Sequence, residues 1–158
     1  MTHVRLVVRI LALVGMIFWL GGFTFYSSVV IPILHEEMGG LDAGMVTGRV
    51  ATSLNAFGVA AVVTWWVMVG CERFLGTRRA RWSRLGLLGL TSAILLGLIA
   101  LHPVLDARLD EGSMRRFYPL HQVYLIASTV QWVVNLALVA VSTWIWDDGK
   151  RPKTTSGG

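Results

Sequence analysis

The chain has 158 residues, of which 54% are apolar and only 15% charged, with mean hydropathy +0.63. A soluble domain of this size carries roughly a quarter charged residues, so this composition excludes an ordinary water-soluble globule. The net charge of +5 does not point to nucleic acid, because the basic residues cluster beside apolar runs as they do at a membrane. The single cysteine, Cys71, excludes an internal disulfide and any cysteine-based metal motif.

Four stretches lack Asp, Glu, Lys and Arg: Ile10–Ile33, Val50–Gly70, Leu85–Leu101 and Pro119–Trp146. Each is near the ~20 residues a helix needs to cross a ~30 Å hydrocarbon core. The expected fold is therefore an all-α, four-helix transmembrane bundle forming a single membrane domain over residues 1–158. The spans are read as 10–33, 50–70, 85–101 and 119–146, followed by a disordered polar tail at 147–158.

The first run is too long for the h-region of a secretory signal, and no A-x-A-like site follows it. It reads as a retained anchor ending near Pro32–Ile33. The segment His35–Met45 reads as a loop with a Gly39–Gly40 turn. Span two closes at Cys71 and leads into an arginine-rich loop, Glu72–Arg84.

Span three is expected to stop before Pro103, because the residue before proline avoids the helical region. Its Gly89, Ala93 and Gly97 recur every four residues, a spacing that lets helices approach closely in lipid. Packing within the chain is the first use of that face, and a homo-oligomer through span three is the second. In span four Pro119 is expected in the first turn, where a missing N–H is harmless.

With both termini cytoplasmic, Arg5, Arg9, Arg73, Arg78, Arg79, Arg81, Arg84, Lys150, Arg151 and Lys153 all lie inside, which leaves four basic residues outside. Six of the nine acids then lie outside. This satisfies the positive-inside rule and suits a multi-pass protein of a bacterial inner membrane. The lipid bilayer is the expected partner, and nucleic acid is not. Trp82, Trp144 and Trp146 lie where an interfacial aromatic belt would be.

Span four carries a polar stripe: His121, Ser128, Asn135 and Ser142 at intervals of seven, with Gln131 four residues before Asn135. Such a face should point into the bundle, where Thr52, Ser53 and Asn55 of span two offer partners. No Asp, Glu, Lys or Arg falls in mid-membrane, so a proton relay lacks its usual parts. Catalytic triads, P-loops, dinucleotide fingerprints and zinc-finger spacings are absent from the sequence.

His35, His102 and His121 come from three spans yet belong at one membrane face. Imidazole ligates copper, zinc and haem iron, and Glu36, Glu37 and Asp106 lie near enough in the sequence to support such ligands. All three histidines form the candidate metal set, and His35 with His121 is the candidate axial pair for haem.

Four sequence patterns extend this reading. Span one reads F-W-L-G-G-F-T-F-Y-S-S-V-V-I-P (Phe18–Pro32), and span two opens G-M-V-T-G-R-V-A-T-S-L-N-A-F-G (Gly44–Gly58). H-P-V-L-D-A-R (His102–Arg108) follows span three, and span four opens R-F-Y-P-L-H-Q-V-Y-L-I-A-S-T-V-Q-W-V-V-N (Arg116–Asn135). In order and spacing these resemble the transmembrane-protein-205-like family, built on a four-span domain. The resemblance implies an integral membrane protein, with a link to metal or drug resistance for some members.

The W-x-G-G opening is also similar to copper resistance protein D and to the four-span protoporphyrinogen oxidase. The oxidase pattern has a histidine early in span one, where this chain has Arg9–Val14 and none. His35 falls near that pattern's histidine after the proline. The functional expectation is a small non-catalytic membrane protein of structural, transport-accessory or resistance type. The alternative is a haem- or copper-binding membrane redox protein.

The charge distribution generates a topology test. In intact cells Cys71 is expected to resist a membrane-impermeant thiol reagent, while a Gly112→Cys variant labels. Labelling at Cys71 alone would invert the orientation.

Overall fold

A computed structural model describes residues 2–72, 77–110 and 114–148. The first span is one continuous rod made of α1 (Thr2–Phe25), a π-helical segment (Tyr26–Val30) and α2 (Ile31–Met38). It is followed by α3 (Gly40–Cys71), α4 (Arg78–Asp110) and α5 (Met114–Asp148). All four rods are long and apolar enough to cross a membrane. Arg9 of α1 and Trp146 of α5 meet at one end of the bundle. That end, where α1 begins and α5 finishes, is called terminal here, and the other distal.

The helices outrun the charge-free stretches. The candidate spans cover 30 to 36 residues, so at ~1.5 Å per residue they reach past the hydrocarbon into the headgroups. The expected loop over 35–45 is a single residue, Gly39, whose φ of 77° suits glycine. The arginine-rich loop is shorter than expected too. Thr77 caps α4 through its hydroxyl to the Ala80 N–H at 3.3 Å, making Arg78–Arg84 helical.

Neither proline ends or begins a helix. Pro103 lies inside α4, which continues to Asp110, and Pro119 lies six residues into α5. Each removes one backbone hydrogen bond rather than stopping the rod. Of the expected tail, Asp147 and Asp148 belong to α5, and residues 149–158 lie outside the described part, as do Arg73 and residues 111–113.

Pro32 has a local effect. It has no N–H, and its ring would crowd the carbonyl one turn back. The chain widens there into the π-helical segment, where the Ile31 N–H reaches the Tyr26 carbonyl. Nearby, the hydroxyls of Ser27 and Ser28 both donate to the Thr24 carbonyl, at 3.2 and 2.6 Å.

Packing follows a spacing of three and four. On α5 the buried positions are Ser128, Gln131, Asn135, Leu138, Ser142 and Ile145, and on α4 they include Arg84, Leu88, Thr91, Leu95 and Leu98. This is the seam of helices that cross at a small angle, and α4 and α5 share the largest interface. The first span packs on α3 by pairing large with small: Trp65 donates its indole N–H to the Ala12 carbonyl at 2.8 Å, and Gly15 lies against Ala61. The first span touches α5 only sparingly.

Surface and interior are inverted relative to a soluble bundle. Phe18, Phe57, Leu96, Ile126 and Trp144 are exposed, while Thr91, Gln131, Asn135 and Ser142 are buried. Such a surface suits contact with lipid rather than water.

The small-residue face of α4 does not pack within the chain. A Cβ at Gly89 or Gly97 would meet nothing within 4 Å, and Ala93 is exposed. The buried seam runs through Leu88, Thr91 and Leu95 instead. Polar and bulky residues set that seam, leaving the small stripe facing outward.

At the terminal end one carboxylate ties the bundle together. Glu72, just past the end of α3, is 1% exposed. One oxygen accepts from the Arg9 guanidinium. The other accepts from Arg84 at 2.8 Å and from the Trp146 indole N–H at 2.9 Å. Arg9 also sits over the Trp146 ring, 4.9 Å from its centre. Burial works against the charged carboxylate. The hydrogen bonds from Trp146, Arg9 and Arg84, with the Arg9 charge, outweigh it and hold Glu72 below the ordinary carboxylate range.

A group held low in this way stabilises the fold fully above its unfolded pKa, and that contribution is lost as pH falls through the folded value. Glu72→Gln leaves two guanidinium groups facing no charge and is expected to cost about 3–5 kcal/mol. Wild type should lose thermal stability in detergent on going from about pH 7 to about pH 3, and the variant should lack that part of the acid limb. Matching acid limbs would remove Glu72 from this role. Ala93→Leu, on the open face, is expected to leave the midpoint within about 0.5 kcal/mol of wild type.

Candidate functional site

The distal half of the bundle is hollow. A cavity of about 610 Å³ extends from the distal end down to Trp19 and Asn135, and all four spans contribute to its wall. Ligand pockets commonly measure ~300–1,000 Å³. Apolar and aromatic side chains make most of the surface, among them Trp19, Phe23, Leu54, Leu105, Phe117 and Trp132.

The wall depends on one close approach. Trp19 lies flat against Gly58, where an added Cβ would come within 2.5 Å of the indole ring. Only glycine allows the ring to lie there, and the ring in turn forms the cavity floor. A smaller hollow of about 160 Å³ lies in the seam between the first span and α5, among Phe23, Thr24, Ser27, Thr129 and Trp132. It shares Phe23, Ser27 and Trp132 with the main cavity. Thr24 and Thr129 are exposed, so this seam meets the lipid-facing surface. Trp132 forms part of its wall and donates to the Thr24 hydroxyl at 3.0 Å.

Several polar side chains in the wall are satisfied by the protein. Asn135 accepts from the Thr91 hydroxyl at 2.9 Å, and Gln131 donates to the Thr91 carbonyl at 3.3 Å. Their partners are therefore on α4, not among the span-two residues Thr52 and Ser53, whose hydroxyls bond their own helix. Asn55 does reach α5, donating to the Tyr124 hydroxyl at 3.4 Å, and Ser128 bonds the Tyr124 carbonyl at 2.8 Å. Ser142 lies below the cavity, buried without a partner among the described residues.

His102 is fully engaged. Its Nε2 faces the Gly48 carbonyl at 3.0 Å, and its Nδ1 faces Asp106 at 3.0 Å. A carbonyl only accepts, so the contact to Gly48 is one that an Nε2–H donates. The close approach of α3 explains the pairing: a Cβ at Gly48 would come 3.3 Å from Asp106.

The expected three-histidine metal site is not assembled. All three histidines line the cavity, but both nitrogens of His102 are occupied. Among the described residues no three His, Cys, Asp or Glu side chains come together as metal ligands. No three-ligand copper site is thus assembled among the described residues. The pair His35 and His121 differs. His35 bonds the Ile31 carbonyl through Nδ1 at 3.2 Å, leaving Nε2 free, and His121 stacks on Phe117 with centroids 5.3 Å apart. A carbonyl on the far ring nitrogen is the usual support for a ligating imidazole, so His35 and His121 are the residues that would hold haem.

Sequence reasoning missed Tyr26. It lines the cavity and is 8% exposed, and its hydroxyl has no partner among the described residues. An unmet buried donor costs about 1–3 kcal/mol. Tyr26 opens the π-helical segment, and single π turns inside helices often mark functional positions. The signal for it was the Ser-Ser-Val-Val-Ile-Pro run that follows it, ending at Pro32.

No family model, curated protein or solved structure matches this chain.

The Trp19–Gly58 contact yields a test of the wall. Gly58→Ala is expected to destabilise the bundle by about 1–3 kcal/mol, the usual effect of overpacking, and to shift tryptophan emission as the Trp19 ring is pushed toward the cavity. Gly21→Ala, where a Cβ meets nothing within 4 Å, should do neither. Equal midpoints for the two variants would mean that Trp19 does not lie on Gly58.

Proposed function

We propose that this four-span integral membrane protein is a non-catalytic binding bundle, which holds a lipophilic small molecule between its helices. The observation that carries this reading is the cavity: about 610 Å³ of mainly apolar wall, joined to a seam that reaches the lipid-facing surface. Ligands of bundles settle between helices in this manner, with a few placed polar groups fixing orientation. The positive-inside rule supports a cytoplasmic terminal end in a bacterial inner membrane. The cavity would then open in the outer half of the bilayer. A role in resistance or as a transport accessory follows from sequestering such a molecule, in keeping with the resemblance to the transmembrane-protein-205-like family. The open Gly89–Ala93–Gly97 face is left to lipid or to a second copy of the chain.

A second reading rests on His35 and His121, the two wall imidazoles with ring nitrogen to spare. Together they would hold haem, which would supply one-electron chemistry there.

Extracts of mildly purified wild type should contain a small molecule in near-stoichiometric amount, depleted in the cavity-filling variant Ala51→Phe. Mass spectrometry of both extracts decides the matter, and identical extracts would end the proposal. The haem reading needs a Soret band after growth with haem precursor. That band should be lost in His35→Ala and in His121→Ala and kept in His102→Ala and His3→Ala. Colourless wild type would dismiss haem and leave the first reading intact.

A further inference from the structure

We infer that the cavity selects a neutral, lipid-soluble molecule bearing a carbonyl-type oxygen, which accepts a hydrogen bond from the Tyr26 hydroxyl while its apolar tail leaves through the seam between the first span and α5. The inference rests on the binding function proposed above and specifies the ligand for that same cavity.

Charge decides the first part. Among the described residues no Lys or Arg side chain lines the cavity, and the one carboxylate there, Asp106, pairs with His102 at 3.0 Å. A carboxylate, phosphate or ammonium taken into this wall would thus bring an uncompensated charge into an apolar space, which is strongly unfavourable. A neutral molecule carries no such penalty.

Hydrogen bonding decides the second. The buried Tyr26 hydroxyl lacks an acceptor among the described residues. Across the cavity the Tyr124 hydroxyl accepts from Asn55, so its own hydrogen remains to be given. Tyr124 has its donor capacity left, and the Tyr26 hydroxyl, which has no partner of either kind among the described residues, can donate as well. A ligand that answers both presents oxygen acceptors, and a ketone or quinone ring does so without charge. The flat walls of Trp19, Phe117 and Trp132 suit a planar head. The seam hollow at Phe23, Thr24 and Trp132 gives an alkyl tail a way to the lipid.

The test uses the full-length protein in phosphatidylcholine nanodiscs at pH 8, with 2-decyl-1,4-benzoquinone as probe. Trp19 and Trp132 line the cavity, so bound quinone should quench tryptophan emission. The specific signal is the saturable part lost in Ala51→Phe. A non-quenching ketone of similar length, 2-tridecanone, should displace the quinone, whereas decanoate and decyltrimethylammonium should not. Tyr26→Phe removes only an unpartnered hydroxyl, so its thermal midpoint should not fall, while its Kd for the quinone should rise about five- to ten-fold, the worth of one hydrogen bond. Unchanged affinity in Tyr26→Phe would overturn the inference. So would displacement by either charged amphiphile as readily as by the ketone. If a charged amphiphile binds saturably and the quinone does not, only the choice of ligand falls. If none of the four binds saturably, the binding function falls with it.

Discussion

The arrangement depends on the carboxylate of Glu72. Burying a charge beside a membrane is costly, and a lone ion pair seldom recovers the cost. Here one carboxylate accepts from three donors: Arg9 of α1, Arg84 of α4 and Trp146 of α5. Since Glu72 itself closes α3, a single group joins all four rods at the terminal end. Arg84 brings more donors than the site can use, and its Nε and Nη2 find no partner among the described residues. Such a knot contributes position as much as energy. It sets the relative height of four helices that would otherwise slide along one another in lipid.

With one end fixed, the rods can part at the other. The first span meets α5 closely at the Arg9–Trp146 stack and again where Trp132 donates to Thr24. Between and beyond those points the two rods leave room, while the α4–α5 interface stays continuous through Leu88, Thr91, Asn135 and Leu138. Large side chains set against small ones complete the division. Trp65 fills the space at Ala12 below, and Trp19 lies on Gly58 above. The cavity is thus not a packing fault. Its floor is a side chain held by a glycine on the neighbouring rod, and its mouth is where Pro32 has already loosened the first span into a π turn.

The spans and the inward polar stripe of α5 were legible in the sequence, because charge-free length and a spacing of three and four are linear properties. Their ends were not. Arg78, Asp106 and Arg115 lie within helices, since a headgroup region solvates charge and does not require the helix to stop. Pro103 misled for a related reason: a long rod packed on its neighbours absorbs the loss of one hydrogen bond. The Gly89–Ala93–Gly97 stripe satisfied a packing pattern equally well whichever way it faced. Glu72 was invisible as a keystone. In hydropathy it only marks the end of a span, and its partners lie 63, 12 and 74 residues away in the chain. A sharper signal was present: it is one of only three acids among the basic residues of that end.

Polar groups inside a membrane bundle need a reason, and here the reasons separate. Asn135, Gln131, Asn55 and Ser128 have protein partners, as helix association in lipid requires. His102 and Asp106 answer each other and tie α4 to the α3 backbone at Gly48. Architecture accounts for these six. It does not account for the buried Tyr26 hydroxyl, the free nitrogen of His35 or the ring nitrogens of His121. Among the described residues none of the three ties two helices together through those atoms, and the buried Tyr26 hydroxyl is unfavourable while it stays unmet. All three line one cavity. That convergence on a single space, rather than any need of the helix packing, is what supports the binding function proposed above.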